Sequence, residues 1–464
     1  MRIADTQANI SNDTGAILFY TNGCWIANAL EDTMQNGSGL SPDPVTNQWC
    51  NSSGVPIPQA NIVLPFPNDS NKYVLFHHGG SVADPNSYPL VCYYSIIDMP
   101  LNNGLGSVIQ KNQVIIQDNL NRGLTACRHA NGRDWWVVIM KHSSDLIYKI
   151  LLTDQGISSI TTQSLGIMHE RHEGQKVFSP DGKKFAYRYY DGSFGNFNNQ
   201  VRVFDFDRCS GQFSNPRVIL WNSPLPGLGI AFSSNSKYLY TVSDFDTIYQ
   251  INTDTSNIQA SMTVVAVNDG YYSPYPPLQS DFLTMYLAAN GKITVSSGSS
   301  VVDLHYINYP DSAGFSCDVQ QHALHMPCFI LGTFVNHPNY YLGCDTTQTN
   351  CPCLITDLPN PSSGGAYDFR FNISPNPSSG AFVIKYLLPQ NQPGMFSVYD
   401  INGRKVYEQR LPQWSTKQEV DMSGNSPRSP VTLKGSSARL QSGVYICTIR
   451  SGEYFATRKL VVIE

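Results

Sequence analysis

Along residues 1 to about 343, apolar and polar positions repeat as one compound pattern. An apolar stretch with strand-like alternation runs into a polar turn, and a second stretch rich in aromatic and β-branched residues follows. The pattern occurs six times, as SNDTGAILFY, NDSNKYVLFHH, HANGRDWWVVI, SPDGKKFAYRY, SSNSKYLYTVS and AANGKITVSS. Counted at Gly15, Asn71, Gly132, Gly182, Ser236 and Gly291, the period is roughly 50–60 residues. Asn-Gly and Asp-Gly at the turn predict two-residue hairpins of the primed type, whose central positions need positive φ. A third strand follows downstream, clearest in YPLVCYYSIIDM, SDLIYKILLT, QVRVFDFD, DTIYQINTD and VVDLHYINY, and usually a fourth, as in NQVIIQD, NPRVILW and MTVVAV.

Four strands per repeat at this spacing predict one propeller blade per unit, packed radially so that only short edges stay unpaired. A set of stacked β-sandwiches is the competing all-β arrangement. FSPDGKKFAYRYYDG (Phe178 to Gly192) and IAFSSNSKYLYTVS (Ile230 to Ser243) resemble the first-and-second-strand signature of the WD40-like, PD40-type β-propeller proteins. That resemblance implies blade geometry and leaves function open, because propellers serve binding, scaffolding and catalysis alike. HPNYYLG, from His337 to Gly343, supplies either a closing strand or the start of a seventh unit. The expected architecture is all-β, with a six- or seven-bladed β-propeller over residues 1–343 followed by a small immunoglobulin-like β-sandwich.

From Cys344 to Arg370 the chain reads CDTTQTNCPCLITDLPNPSSGGAYDFR, where Pro, Ser, Gly and Thr displace periodic apolar residues, so 344–370 reads as a linker. Residues 371–464 return to alternating strands, with a hairpin at Asn402-Gly403 and another at Ser451-Gly452. ISPNPSSGAFVIKYLLP (Ile373 to Pro389), VYDINGRKVY (Val398 to Tyr407) and SGVYICTIRSGEYFATRKLVV (Ser442 to Val462) resemble the carboxy-terminal sorting domain of type IX (Por) secretion cargo in Bacteroidota-type bacteria. The positions taken as the sorting-signal motif are Pro375, Asn376, Pro377, Gly380, Asp400, Gly403, Arg404, Gly443, Tyr445 and Lys459. The resemblance implies a route: export to the periplasm, passage through the outer-membrane translocon, cleavage by a sortase, and surface attachment or release. The partners implied are therefore the type IX translocon and sortase, and the location is extracellular or outer-membrane surface. Arg404, Lys405, Arg458 and Lys459 give the small domain a basic edge, which either a translocon reads or an edge strand uses to stay solvated. The route needs a signal peptide, and MRIADTQANIS carries Asp5 and no apolar run, so the start is expected to be truncated.

Composition narrows the classes. Only 14% of residues are charged, while Gly, Pro and Tyr are plentiful, as suits short strands and tight turns. The net charge of -5 is read as spread along the chain without a Lys/Arg cluster, which argues against nucleic acid as a partner. No apolar run reaches the ~18 residues of a transmembrane helix. Eleven cysteines suit oxidising surroundings. Cys24 with Cys50, Cys317 with Cys328, and the group Cys344, Cys351 and Cys353 look like loop staples, although sequence does not fix connectivity.

Candidate chemistry is sparse, and no catalytic residue, cofactor or metal site is expected. His77 and His78 are adjacent on a strand and point to opposite faces, so they do not chelate one ion. HERHEG (His169, Glu170, Arg171, His172, Glu173) is the densest ionisable cluster but lacks the helical spacing of a zinc motif. Asp205 and Asp207 share a strand face and most simply satisfy backbone amides. Trp135, Tyr189, Tyr190 and Tyr271 put aromatic surface near loops, suited to sugar stacking or a protein hot spot, while half such rings must be inter-blade core. The binding candidates are thus His169, Arg171, His172, Glu173, Trp135, Tyr189, Tyr190 and Tyr271. Three functions fit: a non-catalytic binding or adhesion protein with a glycan or protein ligand, a glycan hydrolase or lyase with its site in the propeller channel, and a structural subunit of a surface assembly.

Overall fold

The computed structural model describes the chain except residues 2, 4, 13–14, 51–53, 81–88, 170–172, 331, 333, 349, 355–370, 389–392, 401–403, 413–416, 422–439, 453 and 464. One compact unit comprises Met1–Tyr286 and Ile293–Ile355, and a second comprises Leu287–Lys292 and Thr356–Glu464.

The first unit contains six four-stranded antiparallel blades among the described residues. They are β1 (Ala8–Ser11), β2 (Ile17–Thr21), β3 (Trp25–Asn28) and β4 (Thr33–Ser38); β5 (Asn61–Phe66), β6 (Asp69–Gly79), β7 (Val91–Asp98) and β8 (Ser107–Gln117); and β9 (Leu120–Arg128), β10 (Trp135–Lys141), β11 (Ser144–Thr153) and β12 (Gly156–His169). The others are β13 (Glu173–Phe178), β14 (Lys184–Ser193), β15 (Asn196–Asp207) and β16 (Gln212–Ser223); β17 (Ile230–Phe232), β18 (Tyr238–Ser243), β19 (Thr247–Asn252) and β20 (Thr263–Val267); and β21 (Met285–Leu287), β22 (Ile293–Val295), β23 (Val301–Ile307) and β24 (Val319–Ile330). The outer strands of the first two blades also meet in parallel at Gln35 and Ser107.

First strands β1, β5, β9, β13 and β17 lie side by side in that order, which makes the blades radial. Gln175 extends the series: its Nε2 donates to the Met285 carbonyl at 3.0 Å, and its Oε1 accepts the Ile230 and Met285 amides at 3.1 and 2.8 Å. Packing between blades follows strand alternation. Trp135 turns toward Ile62, Val74 and Phe76 of the second blade, whereas Trp136 turns toward Phe185 and Tyr187 of the fourth.

In five of the six blades the first-to-second-strand turn differs from the expected two-residue form, whereas β5 and β6 keep it, with Pro67 and Asn68 between the paired Phe66 and Asp69. Asn12, His129, Ser179, Ser233 and Ala288 each accept, at the carbonyl, the amide three residues on. Those donors, Gly15, Gly132, Gly182, Ser236 and Gly291, have φ between 60° and 88°. Only one left-handed residue per turn is therefore needed, which explains why Ser236 substitutes for glycine in the fifth blade, where a primed turn would demand two.

Residues His337 to Gly343 form neither a closing strand nor a seventh blade; they are irregular chain passing along the ring axis. The Thr284 hydroxyl, just before β21, donates to the Gly332 carbonyl at 2.8 Å. Asn336 Nδ2 donates to the Asn61 and Leu124 carbonyls at 3.2 and 2.7 Å, and its Oδ1 accepts from Gln59 at 3.2 Å. His337 Nε2 donates to the Asn9 carbonyl at 2.9 Å, which leaves Nδ1 to accept from the Tyr286 hydroxyl at 3.2 Å. The Tyr340 hydroxyl donates to Val63, and Arg128 donates to the Tyr340 carbonyl. Asn339 donates to the Pro180 carbonyl beyond β13. One extended segment thus touches the inner strands, or their immediate flanks, in five of the six blades.

Where this segment leaves the axis it is fastened by Cys209–Cys351 and Cys344–Cys353, and Cys24–Cys50 closes a loop of the first blade. Cys317 and Cys328, expected to pair, are both free thiols. Most of β24 separates them, and about 3.3 Å of rise per residue carries them far beyond disulfide range. The Cys209–Cys351 bond spans 142 residues. A Cys209→Ser, Cys351→Ser double variant is expected to lose roughly 2–4 kcal/mol of stability relative to the oxidised parent. Urea unfolding with and without reductant checks this, since the parent should approach the variant once reduced.

The second unit packs a three-stranded sheet against a four-stranded one. The first holds β25 (Phe371–Ser374), β26 (Ala381–Tyr386) and β29 (Lys417–Asp421); the second holds β28 (Lys405–Leu411), β27 (Gly394–Tyr399), β30 (Gly443–Ser451) and β31 (Tyr454–Val462). Phe371, Phe382 and Ile384 meet Phe396, Val398, Cys447 and Ile449 in one core. Asn376, between Pro375 and Pro377, donates to the Lys459 carbonyl at 2.7 Å and accepts the Val461 amide at 2.9 Å, so the loop is laid along β31. Gly380 has φ 102°, Asp400 caps Arg404 through its amide and guanidinium, and the Tyr445 hydroxyl donates to Gln441. Gly443 opens β30, and Gly403 lies outside the described residues.

Candidate functional site

The sequence-derived binding residues do not converge. Trp135 is fully buried, donating from Nε1 to the Pro65 carbonyl with the Arg128 guanidinium 4.0 Å from its ring. Tyr189 is buried beneath Arg202 at 4.1 Å. His169, at the end of β12, is buried edge-on to Tyr187. These three are corrected from loop ligands to core, because each sits where adjoining blades close over it. Tyr190 is half-buried against Phe197. Arg171 and His172 lie outside the described residues, and Glu173 opens β13 with its side chain likewise outside them. His77 stands between Ser41 and Ser95 at 2.8 and 3.0 Å as a core residue. Asp205 holds Arg217 and Asn215, and Asp207 accepts the Cys209 amide.

Tyr271 is different. The segment that links β20 to β21 folds back over the sixth blade, and there Tyr271 stacks on His322 of β24 with centroids 4.1 Å apart and planes 22° off parallel. His322 has φ 39°, an unusual value for a non-glycine residue, and it interrupts the β23–β24 register. That bulge turns the ring so that Nε2 reaches Asp269 Oδ2 at 2.9 Å. A second pair lies alongside: His325 Nδ1 and Asp303 Oδ1 are 2.8 Å apart, while Asp303 Oδ2 accepts from Ser273 at 3.1 Å and Tyr271 at 3.3 Å. Tyr271 therefore bridges two carboxylate–histidine pairs.

Beneath them His305 supports the bulge. Its Nε2 donates to the Asp281 carbonyl at 3.0 Å and lies 3.1 Å from Ser280 Oγ, and its Nδ1 accepts the His322 amide at 3.0 Å. Burial drives the His305 pKa down to about 4, so the ring is neutral at pH 7 and keeps Nδ1 free to accept. Burial pushes the Asp303 carboxyl up, but hydrogen bonds with His325, Ser273 and Tyr271 outweigh it and hold the group below its ordinary range. Asp269 is likewise lowered: burial raises it, and the Tyr271 amide and His322 bring it down further. Burial and the neighbouring Asp303 charge push the Tyr271 phenol up. Both carboxylates are thus ionised at neutral pH, beside a protonated phenol.

Aromatic surface flanks these groups. Tyr272 and Tyr275 are 60% and 75% exposed, and Phe329, near the end of β24, is 50% exposed with its ring 6.1 Å from that of Tyr275. Such large rings left in water together mark a surface available to a ligand. Of this constellation only Tyr271 was picked out from sequence. Asp269, Asp303, His322 and His325 were missed because they come from separate strands and loops, with no local motif.

Residues 372–427 match the Secretion system C-terminal sorting domain family. The chain therefore carries a secretion sorting domain near its carboxy-terminal end. Its sorting domain marks it for passage across the outer membrane to the cell surface or exterior, and so for interaction with that secretion machinery. No helix among the described residues is long and apolar enough to cross a membrane. The propeller is similar to Sqt1 from Chaetomium thermophilum at 9% identity, with 89% of this chain and 83% of that one covered and a TM-score of 0.38. It is also similar to AztD from Citrobacter koseri at 10% identity, 90% and 95% coverage and a TM-score of 0.32. The β-propeller domain of Cps50 (Swd1) from Myceliophteria thermophila gives 10% identity, 64% and 94% coverage and a TM-score of 0.30. A search of curated proteins returns no match.

Proposed function

We propose that this secreted propeller is a non-catalytic binding or adhesion protein, with residues 371–464 as its detachable sorting domain and a glycan or protein as its ligand. The observation that carries the reading is the Tyr271 platform, where exposed aromatic faces flank two ionised carboxylates on one face of the ring. Rings supply contact area at little cost in side-chain entropy, and the exposed Asp269 carboxylate supplies a directional acceptor. The alternative of a hydrolase or lyase working in the channel needs acid and base groups converging on the axis. That space holds Asn336, His337 and Tyr340 of the chain itself, each tied to surrounding strands. No observation favours a structural subunit over a binding protein.

A glycan array and a surface-protein pull-down with the whole chain test the proposal. A ligand retained by the parent is expected to bind Tyr275→Ala at least tenfold more weakly, because an exposed aromatic anchor contributes roughly 1–2 kcal/mol or more. Unchanged binding by Tyr275→Ala and Phe329→Ala together would place the ligand elsewhere.

A further inference from the structure

Charge is not spread evenly along the chain, contrary to the sequence-based expectation. Between residues 230 and 330, which build the fifth and sixth blades, there are eight aspartates, no glutamate, and two lysines, Lys237 and Lys292. Residues 371–464 carry eleven Lys and Arg against six acidic residues. The Tyr271 platform therefore sits in an acidic stretch of the protein, and its own ionisable groups include Asp269, Asp303, His322 and His325.

From this we infer that the platform takes a saccharide that is uncharged or carries free amino groups, and discriminates against acidic sugars. The inference rests on the reading of this face as the binding surface. Three features select the class. First, the exposed faces of Tyr272, Tyr275 and Phe329 suit the flat C–H side of a pyranose ring, which needs an aromatic wall rather than a deep pocket. Second, the Asp269 carboxylate is exposed and accepts hydrogen bonds, so it matches ligand hydroxyl or ammonium donors, while the buried Asp303 beneath it holds Tyr271 and His325 in place. Third, a uronate or sulfate brought to this face meets the Asp269 carboxylate, with the buried Asp303 charge behind it, and the two cations of these blades, Lys237 and Lys292, both lie in first-to-second-strand turns. Desolvating like charges against each other is unfavourable at any geometry. An amino sugar would gain twice, from its ammonium over an aromatic face and from a charge-assisted hydrogen bond to carboxylate.

The bulge supplies the directional part. His322 is held in a left-handed conformation by the His305 acceptor beneath it and by stacking on Tyr271, so the Asp269 carboxylate is oriented before any ligand arrives. Orientation of this kind raises affinity by removing the cost of ordering the groups on binding.

Calorimetric titration of the whole chain with four probes tests the inference: cellotetraose as neutral sugar, chitosan tetramer as amino sugar, tetragalacturonate as acidic sugar, and tetralysine as cationic peptide. The expected result is binding of cellotetraose, chitosan tetramer or both, at least tenfold tighter than tetragalacturonate. Binding should weaken tenfold or more in Tyr275→Ala and in Asp269→Asn. The Asp269→Asn variant should also narrow the gap between amino and acidic sugar, a change that loss of folding would not produce. Tetragalacturonate binding as tightly as the other sugars, or tetralysine binding with no sugar bound, in either case lost in Tyr275→Ala, overturns the saccharide class while leaving the face as a binding surface. Failure of all four probes to bind overturns the inference; the array and pull-down then decide whether the face binds anything else.

Discussion

Asn336→Ala is expected to lower the unfolding free energy of the propeller by about 4–5 kcal/mol, a large effect for one polar side chain. Its amide makes three hydrogen bonds, to Asn61 and Leu124 on the first strands of the second and third blades and to Gln59 just before the second. Asn336 is buried, and so is Asn61. Truncation removes the Asn336 donor from two carbonyls and leaves Gln59 with its bond to the Lys176 carbonyl alone, at about 1–3 kcal/mol for each group that water does not reach. Tyr341→Ala is the matched control, since Tyr341 belongs to the same segment but is exposed; its cost should stay within about 0.5 kcal/mol. Urea denaturation measures both, and an unchanged slope would confirm that the native state and not its compactness has altered. Equal costs for the two variants would mean that the segment does not run along the axis.

The second large effect is acid sensitivity beginning well above the carboxylate range. Burial lowers the pKa of His337, His305 and His169 to about 4 and that of His77 and His78 to about 3. For a group whose folded pKa lies below its unfolded value near 6.5, the unfolded chain binds the proton first. The stabilisation is then fully present above about pH 6.5 and is lost as pH falls toward the folded value. A drop of roughly 2.5 units corresponds to about 3 kcal/mol for a single histidine. His337 shows why in atoms: a second ring proton abolishes the acceptor that holds the Tyr286 hydroxyl. At His305 the same event breaks the bond to the His322 amide and releases the bulge under the platform. Asp269 and Asp303, both lowered, add a separate loss only below about pH 4. Thermal melts from pH 7.5 to 4.5 should therefore show a steep decline centred between pH 6 and 5. His337→Gln, which retains a donor for the Asn9 carbonyl without a titrating ring, should flatten part of it.

The blade repeat and the sorting domain are legible from sequence because both are local, whereas the choice between six and seven blades is not. Each blade repeats its own turn, and alternation such as Trp135 against Trp136 assigns neighbouring residues to opposite interfaces once strands are granted. The path of residues 332–343 was not legible. HPNYYLG looks like a strand because its rings are apolar, but its polar groups find partners in blades hundreds of residues away. The platform was hidden for a related reason, since Asp269, Tyr271, Asp303, His322 and His325 meet only when a long loop folds back over a bulged strand.

Hydroxyl-radical footprinting of the whole chain, with and without a bound oligosaccharide, tests most directly whether the ligand sits on the outer face and the axis is already occupied. The result expected is protection of Tyr272, Tyr275 and Phe329 on binding, with His337 and Tyr340 poorly reactive in both states. Reactive His337 and Tyr340 in the free protein that become protected by ligand, with Tyr275 unchanged, would contradict it.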